Sequence, residues 1–152
     1  MEKDIRLIKA DKLLLGKVAL LDREIFASSP WGAGALQSAD WTGTSGCLAA
    51  VFEREGEEVL LGYVLLSLIS EAEIYRIAVR ADMRRKGLGR RLLREAERLL
   101  QELGCESIFL EVRDSNEVAV SLYSSEGFRE IYRRRAYYRD PVCDALIMEK
   151  KL

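Results

Sequence analysis

The chain reads as an α/β protein built on one mixed sheet, and three observations lead there. Apolar runs "CLAAVFE", "VLLGYVLLSLIS" and "AEIYRIAV" follow one another with charged or turn punctuation at "REGEE" and near Glu71, the pattern of an antiparallel meander. The strand Ile74 to Val79, a long helix and the strand Ser107 to Val112 then form a βαβ crossover, which sets those two strands parallel and adjacent. Two further alternating runs, "REIYRRRAYY" and "DALIMEKKL", close the sheet. With the opening run, these make about seven strands and about four helices.

In chain order, "IRLIKA" alternates as a half-buried strand should, and "DKLLLGKVALLDREIF" switches to helical spacing with Asp11 as its cap. The stretch "SSPWGAGALQSADWTG" is rich in small and turn-forming residues, with Pro30 and Trp31 opening a short second helix through about Asp40. After the meander, the long helix carries Leu88, Leu92, Leu93, Ala96, Leu99, Leu100 and Leu103 on one side and stops at Gly104. "SIFLEV" is a nearly continuous apolar strand, and "NEVAVSLYSSEGF" is a short helix ended by Gly127.

The 152 residues suit a single domain, 1–152, with room for a core. Hydrophobic residues at 49% and charged residues at 32% exclude a disordered or fibrous chain. A net charge of -1 removes any general attraction to nucleic acid or to anionic membrane, so no nucleic-acid or membrane partner is expected. Cys47, Cys105 and Cys143 are far apart, odd in number and accompanied by no histidine, which points away from a disulfide framework and from a metal site. No apolar run approaches the ~20 residues that span a bilayer, and "MEKDIRLIKADK" lacks the apolar stretch of a signal peptide, so a cytoplasmic location is expected.

The chemistry-bearing stretch is "RRKGLGRRLLREAERLL", from Arg84. Gly87 and Gly89 let backbone N–H groups approach a ligand, the helix start adds partial positive charge, and a diphosphate fits both. Arg84, Arg85, Lys86 and Arg90 supply cations for the outer phosphate oxygens. The competing reading is a solvated basic helix start, which cations disfavour at an N-terminus. Gly-Lys-Ser/Thr is missing, so this is no P-loop, and the spacing departs from the dinucleotide fingerprint.

Arg84-x-x-Gly87-x-Gly89 resembles the Arg/Gln-x-x-Gly-x-Gly/Ala signature of the GCN5-related N-acetyltransferases (GNAT), which cradles the pyrophosphate of acetyl-CoA. The flanking "IYRIAV" and "FLEVRDSNEVAVSLYSSEGF" resemble the branch that acetylates the N-terminal alanine of a small-subunit ribosomal protein; the likeness runs from about Ile74 to Met148, with weaker traces at "REIFASSPW". The resemblance implies acetyl-CoA as co-substrate without a metal, and the N-terminus of a ribosomal protein as acceptor. It also implies a fourth strand splayed from the fifth, whose backbone at Ile77, Ala78 and Val79 pairs with pantetheine. The segment around Leu88, from Arg85 to Arg90, would hold the pyrophosphate, and Asn116 would contact the pantetheine arm. The bland alternative for Ile77 to Val79 is plain core strand.

Acetyl transfer needs an uncharged amine and a proton for the departing thiolate. Glu111 interrupts an interior strand, where a carboxylate is costly unless paired or useful; it is a base, direct or through water, or half of a salt bridge with Arg113. Tyr123 is either the acid or an amphipathic core tyrosine. The family's "LEVR" glutamate and "LY" tyrosine match Glu111 and Tyr123, which implies the catalytic roles. An α-amine, with a pKa near ~8 against ~10.4 for lysine, loses its proton with modest help, which favours N-termini. By the same resemblance Tyr137 and Tyr138 hydrogen-bond the acceptor backbone and Trp31 walls the peptide channel; as plain residues the tyrosines are edge-strand aromatics. Arg133, Arg134, Arg135 and Arg139 read as a solvated face. A small-amine or lysine acetyltransferase and a non-catalytic acetyl-CoA-binding module are the alternatives.

Overall fold

The computed structural model describes residues 4–27, 36–69 and 71–152. Seven strands, β1 (Arg6–Lys9), β2 (Ser45–Arg54), β3 (Glu57–Ser67), β4 (Ala72–Val79), β5 (Ser107–Arg113), β6 (Arg129–Tyr138) and β7 (Cys143–Lys151), form one sheet in the order β1-β2-β3-β4-β5-β7-β6. Only β4 and β5 pair in parallel; every other neighbouring pair is antiparallel. Three α-helices are described: α1 (Lys12–Ile25), α2 (Leu88–Glu102) and α3 (Glu117–Ser125). The short helix expected from Pro30 falls largely outside the described residues, as does Trp31. No described helix is long and apolar enough to cross a membrane.

Local chemistry explains the element ends. Asp11 caps α1 by accepting from the Leu14 N–H at 2.9 Å, a contact whose loss typically costs about 1 kcal/mol. The β2–β3 hairpin closes through two residues, Glu55 and Gly56, both at positive φ as a two-residue primed turn requires. Past α2, the chain turns at Gly104 with φ +86°.

The sheet separates two apolar layers. On one side α1 buries Leu14, Leu15, Val18 and Leu21 against Cys47, Ala49, Val51, Tyr63 and Leu65. On the other, α2 buries Leu88, Leu92, Leu93, Ala96 and Leu100, and α3 adds Tyr123, over Leu48, Val64, Ile74, Ile108 and Leu110. Each such leucine contributes about 1.5–3 kcal/mol relative to an exposed position. Leu99 packs at the margin of this layer, whereas Leu103, placed on the same face by spacing, is 57% exposed because it follows the last full turn.

Candidate active site

The site begins where the two parallel strands part. β4 and β5 pair at three positions, Ala72 with Ile108, Glu73 with Phe109 and Ile74 with Leu110. Beyond them β5 runs on along β7 to Arg113, while β4 follows β3 to Val79. The separation coincides with a bulge: Leu66 faces Ile74 but Leu65 faces Arg76, so Tyr75 is an extra residue in β4. A bulge bends its strand and sharpens the local twist, which turns β4 away from β5. Ile77, Ala78 and Val79 therefore border a cleft and not a neighbouring strand on the β5 side.

Two hollows of about 530 and 450 Å³ line this region, and they share Val79, Arg84, Gly89, Val118 and Leu122, so they form one groove. Its outer end is framed by Arg84, Arg85, Gly87, Leu88, Gly89 and Arg90. Gly87, with φ +78°, precedes α2 and offers no side-chain cap, which leaves the first N–H groups of that helix to an incoming acceptor. Those orphan donors and the missing Cβ at Gly89 fit a diphosphate. Arg85 and Lys86 are exposed and make no ion pair among the described residues. Arg84 Nε donates to the Val79 carbonyl at 3.2 Å. Arg90 is already engaged: it donates to Glu126 at 2.6 Å and to Ser125 at 2.9 Å, tying α2 to the end of α3. With Arg94 on its other oxygen, the Glu126 carboxyl is held down at about 2, chiefly by the Arg94 hydrogen bond.

The inner end is bounded by Ile77, Ala78, Val79, Asn116 and Tyr123 on one side and by Ile25 and Phe26 on the other. Asn116 is the α3 cap, its side-chain oxygen accepting from the Ala119 N–H at 3.2 Å, and its amide NH₂ has no hydrogen-bond partner among the described residues. Tyr123 is 6% exposed, packs at 5.7 Å from the Phe128 ring, and its hydroxyl has no hydrogen-bond partner among the described residues. Burial pushes that phenol up to about 12, which keeps it protonated at neutral pH.

Glu111 stands on the opposite, α1-side face of β5, since its neighbours Leu110 and Val112 point into the α2 layer. Its partner is Tyr138, whose hydroxyl donates to Oε2 at 2.9 Å. The salt bridge with Arg113 does not form: that guanidinium lies over the Tyr138 ring at 4.1 Å and donates to Cys143 Sγ at 3.4 Å. Tyr137 packs edge-on against Tyr138 at 5.2 Å and remains 49% exposed. Arg133 is no free surface cation, because Asp114, Glu130 and Asp144 all accept from it.

Residues that spacing did not single out also meet here. Glu73 closes the apex of the split, and its carboxyl is raised by burial and then by the charge of Glu111. Arg76 reaches the α1 layer, where Asp22, 0% exposed, accepts from it at 2.9 Å and from Tyr63 at 2.5 Å. The sequence signal was present as two charges inside the apolar run "AEIYRIAV" and one acid on the buried side of α1.

The model of the acetyltransferase (GNAT) family matches residues 19–128. Over 83 residues the chain is 45% identical to the ribosomal protein bS18-alanine N-acetyltransferase of Escherichia coli (strain K12), a match that takes in 53% of this chain and 56% of that protein. The chain thus matches about half the length of that relative. It is 33% identical over 118 residues to an N-alpha-acetyltransferase of Sulfurisphaera tokodaii, covering 68% of this chain and 70% of that one. The crystal structure of the ribosomal-protein-S18-alanine N-acetyltransferase from Escherichia coli superposes with a TM-score of 0.82 at 28% identity, over 97% of this chain and 93% of that one. With a family match across most of its length and this sheet, the chain belongs to the acetyltransferase (GNAT) family.

Proposed function

We propose that the protein transfers the acetyl group of acetyl-CoA to the α-amine at the N-terminus of a protein, with an alanine-starting small-subunit ribosomal protein as the acceptor. The observation that carries this reading is the placing of a phenol and a carboxylate on opposite sides of the β4–β5 split, Tyr123 on the α3 side and Glu111 on the α1 side. Acetyl-CoA would enter from the α2–α3 side, its diphosphate on the N–H groups at Gly87 to Arg90 and its amide arm beside Ile77 to Val79. The acceptor would come from the α1 side, between Phe26 and Tyr138.

In this arrangement Glu111, directly or through water, takes one proton from the amine, whose nitrogen bonds to the acetyl carbon as the bond to the CoA sulfur breaks. Tyr123 gives its proton to that sulfur. A buried phenol suits the second step because it arrives protonated, and the low pKa of an α-amine suits the first. Likeness to an N-terminal alanine acetyltransferase of Escherichia coli supports the same acceptor class. The test is incubation with acetyl-CoA and a panel of N-terminal peptides, lysine peptides and polyamines, with the acetyl group located by mass spectrometry. Acetylation confined to lysine side chains or polyamines overturns the proposal.

A further inference from the structure

Arg76 is drawn to the α1 face by an accident of register. Glu73 and Arg76 are three residues apart, an odd separation that in a regular strand sends side chains to opposite faces. The extra residue at Tyr75 restores the phase, so Arg76, like Glu73, stands on the α1 side. There its guanidinium does two things at once. It donates to the buried Asp22, which also accepts from Tyr63, and it lies over the Phe26 ring at 3.8 Å. Phe26 ends α1 and is half-buried, and it lines the inner end of the groove with Ile77 and Ala78.

We infer that Arg76 is a positioning residue for the acceptor: anchored by Asp22, which Tyr63 also holds, it keeps the Phe26 ring as a fixed wall of the acceptor entrance, and so sets how tightly an N-terminal peptide is bound. The inference rests on the function proposed above. Asp22 cannot be left without its partners, because a buried carboxylate is expensive unless it is hydrogen-bonded and paired. The guanidinium is therefore locked in place, and its flat face fixes the ring more firmly than packing alone would. A wall fixed before binding spares the acceptor the cost of ordering it. Phe26 shares the inner hollow with Asn116 and Tyr123, whereas the Arg76 side chain lines neither hollow, so Arg76 is the member of the pair that can be changed without touching the cofactor groove.

The experiment compares binding of CoA with binding of a conjugate in which the CoA sulfur is joined through an acetyl bridge to the α-amine of an alanine-starting peptide. Wild type, Arg76→Lys, Phe26→Leu and the double variant are titrated by calorimetry, with thermal midpoints recorded. Arg76→Lys keeps a charge for Asp22 and loses the flat stack; Phe26→Leu keeps an apolar side chain and loses the ring. Each single variant is expected to lose the affinity that the peptide arm adds over CoA alone by roughly three- to thirtyfold, the range of one such cation–π contact, while the CoA affinity of Arg76→Lys, whose side chain lines neither hollow, stays within about twofold. The double variant should be no weaker than the worse single one, because the pair acts as a unit. If the peptide arm strengthens binding to wild type and the variants keep that gain, the positioning role of Arg76 is overturned and the N-terminal reading stands. If the peptide arm adds nothing to wild type, the N-terminal reading falls and this inference with it.

Discussion

The hydroxyl of Tyr138, on β6, donates to Oε2 of Glu111, on β5, across the intervening strand β7. That bond joins the last hairpin to the strand that carries the carboxylate. It leaves Oε1 without a hydrogen-bond partner among the described residues, and so open to an amine or a water. Arg113 completes the unit by stacking on the Tyr138 ring, which keeps the phenol aimed at the carboxylate.

This bond has a titration signature. The Tyr138 phenol is raised by burial first, then by the hydrogen bond to Glu111 and its charge. Glu111→Gln removes the charge, so Tyr138 should ionise at lower pH than in wild type, visible in an ultraviolet difference titration with Tyr138→Phe to identify the transition. Superimposable curves for wild type and Glu111→Gln would mean that the bond is not made in solution.

The two glycines of the phosphate loop should respond oppositely to alanine. Gly87 sits at φ +78°, where a Cβ is strained, so Gly87→Ala should destabilise the fold by about 1 kcal/mol. Gly89 lies inside α2, and a Cβ there would approach only Leu122 at 3.8 Å and Val79 at 4.0 Å. Gly89→Ala should therefore stabilise the free protein by about 0.5–1 kcal/mol. CoA binding should survive this change, since the signature Arg/Gln-x-x-Gly-x-Gly/Ala admits alanine at this position. Thermal midpoints measured beside calorimetric CoA titrations check both.

Glu126 should make stability depend on acid. Its folded pKa, about 2, is depressed below the ordinary value of ~4.3 by Arg94 and Arg90. The carboxylate therefore contributes stability that is fully present above pH ~4.3 and is lost as pH falls toward 2. Glu126→Gln should melt lower than wild type at neutral pH, and the gap should close on acidification through that window. A gap that is independent of pH would assign the loss to packing of the side chain.

Much of this was legible locally. The Asp11 cap, the Glu55–Gly56 turn and the leucine stripe of α2 each lie within a few residues of what they determine. So does Gly87 before its helix. What escaped is long-range or a matter of register. Nothing in "AEIYRIAV" reveals a bulge at Tyr75, because a bulge exists only relative to the facing strand. Arg113 stands two residues from Glu111 and is the partner that spacing offers as the alternative to a catalytic role, yet Tyr138, 27 residues away, takes that place because β7 brings β6 alongside β5. Arg90 belongs to the phosphate loop by motif, and only the approach of α3 shows it paired with Glu126.

Tyr123 divides a catalytic from a structural reading most sharply. The side chain is nearly fully buried, yet its hydroxyl borders the groove and has no hydrogen-bond partner among the described residues, which leaves it open to a ligand or to water. Burial has pushed the phenol to about 12, so it stays protonated through neutral pH and can meet a departing thiolate as an acid. Tyr123→Phe keeps the ring against Phe128 and removes one oxygen. At saturating acetyl-CoA it should lower kcat by roughly 10²–10⁴-fold, with little change in CoA affinity and no loss of thermal stability. Glu111→Gln should behave differently: its loss should be greatest on the acidic side, where the amine most needs a base, and should shrink as pH passes ~8 and free amine accumulates. Rate–pH profiles for the two variants and wild type provide the check. If Tyr123→Phe retains near-normal kcat while its thermal midpoint falls, the hydroxyl is a structural group and the sulfur draws its proton from solvent.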